Sequence, residues 1–157
     1  MKVGIIIHSY TGNTYSVAEK IKDKLIKEGH NVDLKKLEPV GGENVNEIDI
    51  SKITFEPLPD VSGYDVIILG APVRAFSMSP VLSAYLRNIP SLKEQKVELF
   101  VTQSLPHSWM GGKHAISQMK KLCLAKGAKV VKTGIINWKN KKKEVILQEV
   151  VEELGKL

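Results

Sequence analysis

Six small or polar residues separate the first apolar run of this chain, residues 3–7, from its first helical pattern. They read Ser9-Tyr10-Thr11-Gly12-Asn13-Thr14. This order predicts a buried β-strand that passes through a short loop into an α-helix. The loop carries hydroxyl and amide groups but no charge. An anion held there would therefore depend on neutral donors and on the unpaired N–H groups of the helix N-terminus.

Two interpretations of this loop follow from its residues. Ser, Thr and Asn are common helix caps, so the run is compatible with an ordinary polar turn. The same run at the mouth of a buried strand also suits a terminal phosphate, because Gly12 allows close approach of the backbone. The glycine patterns of Walker loops and of dinucleotide-binding loops are absent from the sequence. The loop therefore favours a phosphate monoester bound by neutral donors.

The rest of the chain alternates short apolar runs with helical patterns, which is typical of a parallel α/β sheet in a single domain. Strands are predicted over residues 3–7, 32–37, 66–69, 97–102 and 130–138, and helices over residues 13–28, 79–89, 113–126 and 143–154. Residues 38–64 contain several prolines and glycines, which disfavour a long helix. We expect an irregular crossover there, with room for one short helix.

The first loop resembles the phosphate loop of the flavodoxin family, whose usual form is Ser/Thr-x-Thr-Gly-Asn-Thr. Ser62-Gly63-Tyr64-Asp65, the run from Val66 to Gly70, and Ala71-Pro72-Val73 resemble that family's third strand and second flavin loop. The resemblance covers most of the chain in outline and is weakest over residues 38–64. It implies an α/β fold of three layers, with a doubly wound sheet of five parallel strands in the order 2-1-3-4-5. It also implies FMN as cofactor, bound beyond the carboxyl ends of the strands, a rule of which flavodoxin is itself a known case.

Under this resemblance, three loops at strand ends converge on the flavin, namely residues 8–14, 70–79 and 102–112. All six residues of the first loop are candidate cofactor ligands. The other candidates are Pro72, Val73, Arg74, Ala75, Phe76, Thr102, Gln103, Ser104, His107, Trp109, Gly111 and Gly112.

Four of these residues have alternative roles. Phe76 either covers one face of the flavin ring or fills the core. Trp109 either covers the second face of the ring or packs over the core. Arg74 pairs with a carboxylate, meets a partner or lies in solvent. His107 either donates a proton to a substrate or is an ordinary loop histidine, so no catalytic residue is assigned with certainty.

Composition restricts the other function classes. The single cysteine, Cys123, excludes an internal disulfide and is expected to be a buried thiol. The four histidines form no H-x-x-x-H pair, which argues against a metal site. No apolar stretch is long enough for a membrane span or a signal peptide, so we expect a cytoplasmic protein. The formal charge is +6, and much of it lies at Lys139 and residues 141–143, which we interpret as a solvated loop rather than a nucleic-acid site.

The resemblance therefore predicts an FMN-binding redox protein that exchanges electrons with a partner protein. One alternative is an FMN-dependent NAD(P)H:quinone-type reductase, and a second is a binding module that keeps the fold without the flavin. Typical flavodoxins are acidic, whereas this chain is basic. Its charge predicts an acidic partner surface and a less strongly reducing flavin than an acidic homologue would have.

Overall fold

The fold was analysed in a computed structural model that describes residues 1–42, 49–105, 107 and 110–157. Five strands form one parallel sheet in the order β2-β1-β3-β4-β5. The strands are β1 Lys2–Ile7, β2 Asn31–Lys36, β3 Val66–Pro72, β4 Lys96–Gln103 and β5 Lys129–Asn137. The helices are α1 Asn13–Lys27, α2 Pro80–Asn88, α3 Gly112–Ala125 and α4 Lys143–Leu154. The predicted fold class and strand order are confirmed.

The central strands are apolar throughout because both of their faces are covered by helices. In β1, Ile5 and Ile7 pack into the core beneath α1 and α4, whereas Ile6 packs into the core beneath α2 and α3. The result is the predicted three-layer arrangement. Within the described residues, every helix is too short or too polar to cross a bilayer.

The start of α2 shows how local sequence sets a helix boundary. The Ser79 hydroxyl accepts a hydrogen bond from the Leu82 N–H at 3.2 Å, and Pro80 occupies the first helical position. Proline is favoured there because it lacks the N–H that would otherwise be unpaired. The helix therefore begins where the sequence predicted.

The crossover between β2 and β3 is irregular in its described part, as predicted; residues 43–48 lie outside that part. Pro39 and Phe55 form a single antiparallel bridge, and one 3-10 turn spans Ile50–Lys52. The Phe55 and Tyr85 rings are nearly perpendicular and form an edge-to-face pair, with centroids 5.9 Å apart. The crossover is therefore anchored to the core beneath α2 and α3.

Among the buried titratable groups, Cys123 and Glu98 lie in α3 and β4. The Cys123 thiol is buried in α3, as predicted, and burial raises its pKa to about 12. Glu98 is buried in β4, and neither carboxyl oxygen has a hydrogen-bond partner in the described part of the chain. Burial raises the pKa of Glu98 to about 7, although the positive charge of Lys132 acts in the opposite direction. Glu98 lies near the amino end of β4, away from the strand ends where the candidate ligands converge.

Candidate functional site

The loop between β1 and α1 leaves a series of backbone donors unpaired. Gly12 precedes the helix with φ +93°, a left-handed conformation that glycine adopts at little cost. Gly12 occupies the N-cap position, and the Ser9 hydroxyl, three residues earlier, accepts a hydrogen bond from the Tyr15 N–H in the first turn at 3.3 Å. Among the described residues, no acceptor is found for the N–H groups of residues 10–14. These N–H groups lie at the positive end of the helix dipole and suit an anion.

Thr14 connects the first loop to the third. Its side chain is buried, and its hydroxyl oxygen lies 2.9 Å from the hydroxyl oxygen of Thr102 at the end of β4. One of the two hydroxyls donates to the other. The Thr14 side chain therefore fixes the position of the α1 N-terminus, while Tyr10, Thr11 and Asn13 line the open crevice beside it.

The second loop makes a tight turn at residues 74–77. The Arg74 N–H donates to the Ser77 carbonyl at 2.8 Å, and the Ser77 N–H donates back to the Arg74 carbonyl at 2.9 Å. Ala75 and Phe76 both have positive φ, +48° and +63°, which is strained for residues with side chains. Phe76 is 60% exposed, so it does not fill the core. The turn holds this ring at the surface beside the crevice.

Arg74 connects the second loop to the first. Its guanidinium carbon lies 4.3 Å from the centroid of the Tyr10 ring, a cation–π contact. Its Nη1 atom is buried and has no hydrogen-bond partner in the described part of the chain. Of the three alternatives for Arg74, a carboxylate partner is not found among the described residues. The unpaired Nη1 group is a further donor at the crevice.

The third loop packs directly on the second. Gly111 has φ +113°, and a Cβ atom added there would lie 2.7 Å from the Phe76 Cα and 3.0 Å from a Val73 methyl carbon. The Val73 N–H also donates to the Thr102 carbonyl at 2.8 Å. Glycine is therefore required at position 111 by both conformation and space. Gly112, the next residue, begins α3.

Gln103 anchors the base of the third loop. It is buried, and its side-chain amide donates to the His107 carbonyl and to the Asn137 side-chain oxygen. Its own oxygen is buried without a hydrogen-bond partner among the described residues. His107 and Ser104 are exposed. The prediction for Trp109 lies outside the described residues.

The three loops enclose a crevice of about 370 Å³ at the carboxyl edge of the sheet. It brings together ten of the predicted residues, namely Tyr10, Thr11, Asn13, Pro72, Val73, Arg74, Ala75, Thr102, Gln103 and Ser104. Arg74 is the charged member of this set, and no carboxylate is found among the described residues that line the crevice. Because the unpaired groups are mostly N–H donors, the crevice suits a ligand with a phosphate and further acceptor atoms.

His8 lies at the start of the first loop and was not predicted to contribute to the site. It follows β1 directly, is fully buried, and its Nδ1 atom lies 2.7 Å from the Ser79 hydroxyl oxygen. Its backbone N–H donates to the Gly70 carbonyl at 3.0 Å. His8 thus connects the start of the first loop to the cap of α2. Its position immediately after a buried strand, directly before the polar run, was the available signal.

No protein-family model matches this chain, and no curated protein matches it significantly. Solved structures do match over nearly the whole length. The two-electron reduced flavodoxin of Megasphaera elsdenii is 23% identical, with a TM-score of 0.68 and 99% of both chains covered. Flavodoxin 2 of Bacillus cereus is 22% identical, with a TM-score of 0.67 and coverage of 99% of this chain and 98% of that one.

An azoreductase from Bacillus anthracis is equally similar in structure. It is 13% identical, with a TM-score of 0.69, and 99% of this chain and 98% of that chain are covered. At such identities the likeness shows the fold. The fold expected from residues 9–14 and 62–73 is thereby confirmed.

Proposed function

We propose that this chain, whose fold is flavodoxin-like, binds FMN in the crevice and exchanges electrons with a partner protein. The observation that carries the proposal is the set of unpaired N–H donors at residues 10–14, which open onto that crevice. A terminal phosphate accepts several hydrogen bonds and carries the negative charge that a helix N-terminus favours. The first loop would hold the phosphate, and the second and third loops would hold the ring system.

When bound, FMN supplies the redox chemistry, and the surrounding residues tune it. Arg74 is the charged residue in the described lining of the crevice, which contains no carboxylate to offset it. A positive charge stabilises the flavin as it gains negative charge on reduction. This supports the expectation of a less strongly reducing flavin than in an acidic homologue.

The loop contacts support a pre-formed site. Thr14 bridges to Thr102, Arg74 stacks on Tyr10, and Gly111 packs against Phe76. Each contact joins two of the three loops. A ligand entering the crevice therefore meets loops that are already ordered against one another, which lowers the entropic cost of binding.

The direct experiment is an absorbance spectrum of the purified protein before and after FMN is added and excess FMN removed. We expect flavin absorption bands that remain after excess FMN is removed, and quenched FMN fluorescence on titration of the apoprotein. A colourless protein that takes up no FMN would contradict the proposal and favour the binding module without flavin.

A flavin-dependent reductase is the second candidate, and the structural likeness to an azoreductase favours it. Such an enzyme needs room for a nicotinamide and a small acceptor beside the flavin. Steady-state turnover of the FMN-loaded protein with NAD(P)H and a quinone separates the two functions. Rapid turnover without any partner protein would identify a reductase. If the protein binds FMN but shows no such turnover, electron exchange with a partner is favoured.

A further inference from the structure

A second cavity lies on the other side of the 74–77 turn. It has a volume of about 930 Å³ and runs between α2 and α3. Arg74 and Ala75 line both this groove and the crevice described above. A molecule seated in the groove would therefore lie next to the proposed flavin site.

The described lining of the groove is positively charged. Arg74, Arg87 and Lys121 belong to it, and it includes no acidic residue. Among the described residues, none of these three cations forms an ion pair. Acidic residues are also missing from the sequence around the groove. Helices α2 and α3 contain no Asp or Glu, and residues 99–143 contain ten lysines and no acidic residue.

The floor and walls of the groove are partly apolar and held in place. Met78 and Leu122 contribute apolar surface. The Arg87 side chain donates to the Ser83 hydroxyl at 3.2 Å, and the Gln118 side-chain oxygen accepts from the Met78 N–H at 2.8 Å. The first bond orients the Arg87 side chain, and the second attaches α3 to the end of the 74–77 turn.

Phe76 adds an exposed aromatic ring at the rim of the groove. Its neighbours Ala75 and Ser77 line the cavity, and its positive φ holds the ring outward at a conformational cost. Exposed aromatics and arginines around a partly apolar centre are typical of the residues that dominate protein–protein binding energy.

We infer that this groove, together with Phe76, is the docking surface for an acidic redox partner protein, one that presents carboxylates around an apolar residue. The inference rests on the proposed function, because it places the partner next to the flavin. Carboxylates would pair with Arg74, Arg87 and Lys121, and the apolar residue would lie against Met78 and Leu122. Complementary charge also steers the two proteins together and makes association sensitive to salt.

The test uses FMN-loaded protein and a strongly acidic plant-type [2Fe–2S] ferredoxin as probe. The test variant combines Arg87→Glu with Lys121→Glu. The matched control combines Lys20→Glu with Lys27→Glu on α1, so both proteins undergo the same change in net charge, at exposed positions. Circular dichroism and FMN affinity are measured first, and both should equal the wild type because none of the four residues lines the crevice.

We expect ferredoxin to bind the wild type with an affinity that falls at least tenfold between 50 and 200 mM salt. The groove variant should lose at least tenfold in affinity at low salt, and the α1 control less than threefold. In a 15N-labelled sample, amide shifts on ferredoxin addition should cluster on α2, α3 and residues 74–78.

Equal losses in the two variants, shifts clustered on α1 and α4, or no salt-sensitive binding would overturn the docking surface. Displacement of ferredoxin from the groove by micromolar NADPH or by single-stranded DNA would also overturn it and assign the cations to a nucleotide ligand. These outcomes are separate from failure of FMN binding, which is measured before ferredoxin is added and would contradict the proposed function itself.

Discussion

The two faces of the sheet carry different charge patterns. Helices α2 and α3 present four basic side chains and no acidic one, whereas α4 on the opposite face contributes four glutamates. On that opposite face Lys24 lies 3.0 Å from Glu28 and 3.3 Å from Glu152. The two faces therefore balance their charges differently. The four cations of α2 and α3 have no acidic residue in the same helices, whereas the five lysines of α1 and α4 are accompanied by six acidic residues.

The same contrast holds for the buried polar groups. Beside the crevice, the unpaired groups are mainly donors, namely the N–H groups of residues 10–14 and Arg74 Nη1. On the α1 and α4 side of β4, the two carboxyl oxygens of Glu98 are buried without a hydrogen-bond partner among the described residues. A donor-rich site is suited to an anionic ligand, whereas a lone buried carboxyl lowers stability when it ionises.

The largest expected effect comes from Glu98→Gln. Because the folded-state pKa of Glu98 is raised to about 7 from 4.5, the folded protein binds this proton more tightly than the unfolded chain does. The contribution of Glu98 to the free energy of unfolding therefore falls as pH rises from about 4.5 to about 7, by roughly 3 kcal/mol in total. Glutamine stays neutral, so the variant should be more stable than the wild type at pH 8 and nearly equal to it at pH 4.

Urea unfolding of both proteins at pH 4, 6 and 8 measures this difference. A gap that fails to widen with pH would show that Glu98 ionises without penalty, and the contrast between the two buried regions would be lost.

Gly111→Ala tests the contact between the second and third loops. Positive φ and a Cβ placed 2.7 Å from the Phe76 backbone should lower the free energy of unfolding by about 2 kcal/mol. Gly29→Ala is the control, because Gly29 also has positive φ, +88°, but no atom within 4 Å of the added Cβ. The Gly29→Ala variant should lower the free energy of unfolding by about 1 kcal/mol, because only backbone strain is added. Thermal unfolding that shows equal losses for the two variants would argue against close packing at position 111.

Two variants, Thr11→Val and Thr14→Val, distinguish a hydroxyl that binds FMN from one that stabilises the fold of the first loop. Thr11 lines the crevice, so its hydroxyl should affect FMN affinity by about 1 kcal/mol and leave stability unchanged. Thr14 pairs with Thr102 in a buried position, so its replacement should lower the free energy of unfolding by about 1 kcal/mol. Fluorescence titration and urea unfolding of both variants measure the two effects; a reversed pattern would contradict the assignment.

Arg74→Gln has the smallest expected effect. Removing the crevice cation should make the midpoint potential of bound FMN more negative by about 40 mV, the equivalent of about 1 kcal/mol for one electron. Arg74→Lys keeps the charge and is the control. Potentiometric titration in which both variants shift equally would attribute the change to lost stacking on Tyr10 rather than to charge.

Local signals in the sequence predicted the helices and strands, whereas the strand order was expected from the family resemblance. Ser79-Pro80 located the start of α2, and the apolar run at residues 3–7 predicted a strand covered on both faces. The loops around the crevice were also assigned correctly as strand-end loops. These features depend on neighbours along the chain, which periodicity and capping patterns report well.

The contacts between loops could not be predicted in the same way. These contacts join segments that are far apart in sequence. They are the stacking of Arg74 on Tyr10, the hydrogen bond between His8 and Ser79, and the hydrogen bond between Thr14 and Thr102. Ala75 and Phe76 gave no sign of positive φ, because neither is a residue that favours it. Glu98 was hidden within a strand that is otherwise largely apolar.

The central claim is that the unpaired N–H donors of residues 10–14 hold the phosphate of FMN. The most direct measurement compares the affinities of the apoprotein for FMN and for riboflavin, which has the same ring system without the phosphate. If the first loop binds the phosphate through several hydrogen bonds, FMN should bind at least a hundredfold more tightly than riboflavin. Equal affinity for the two flavins would contradict the account.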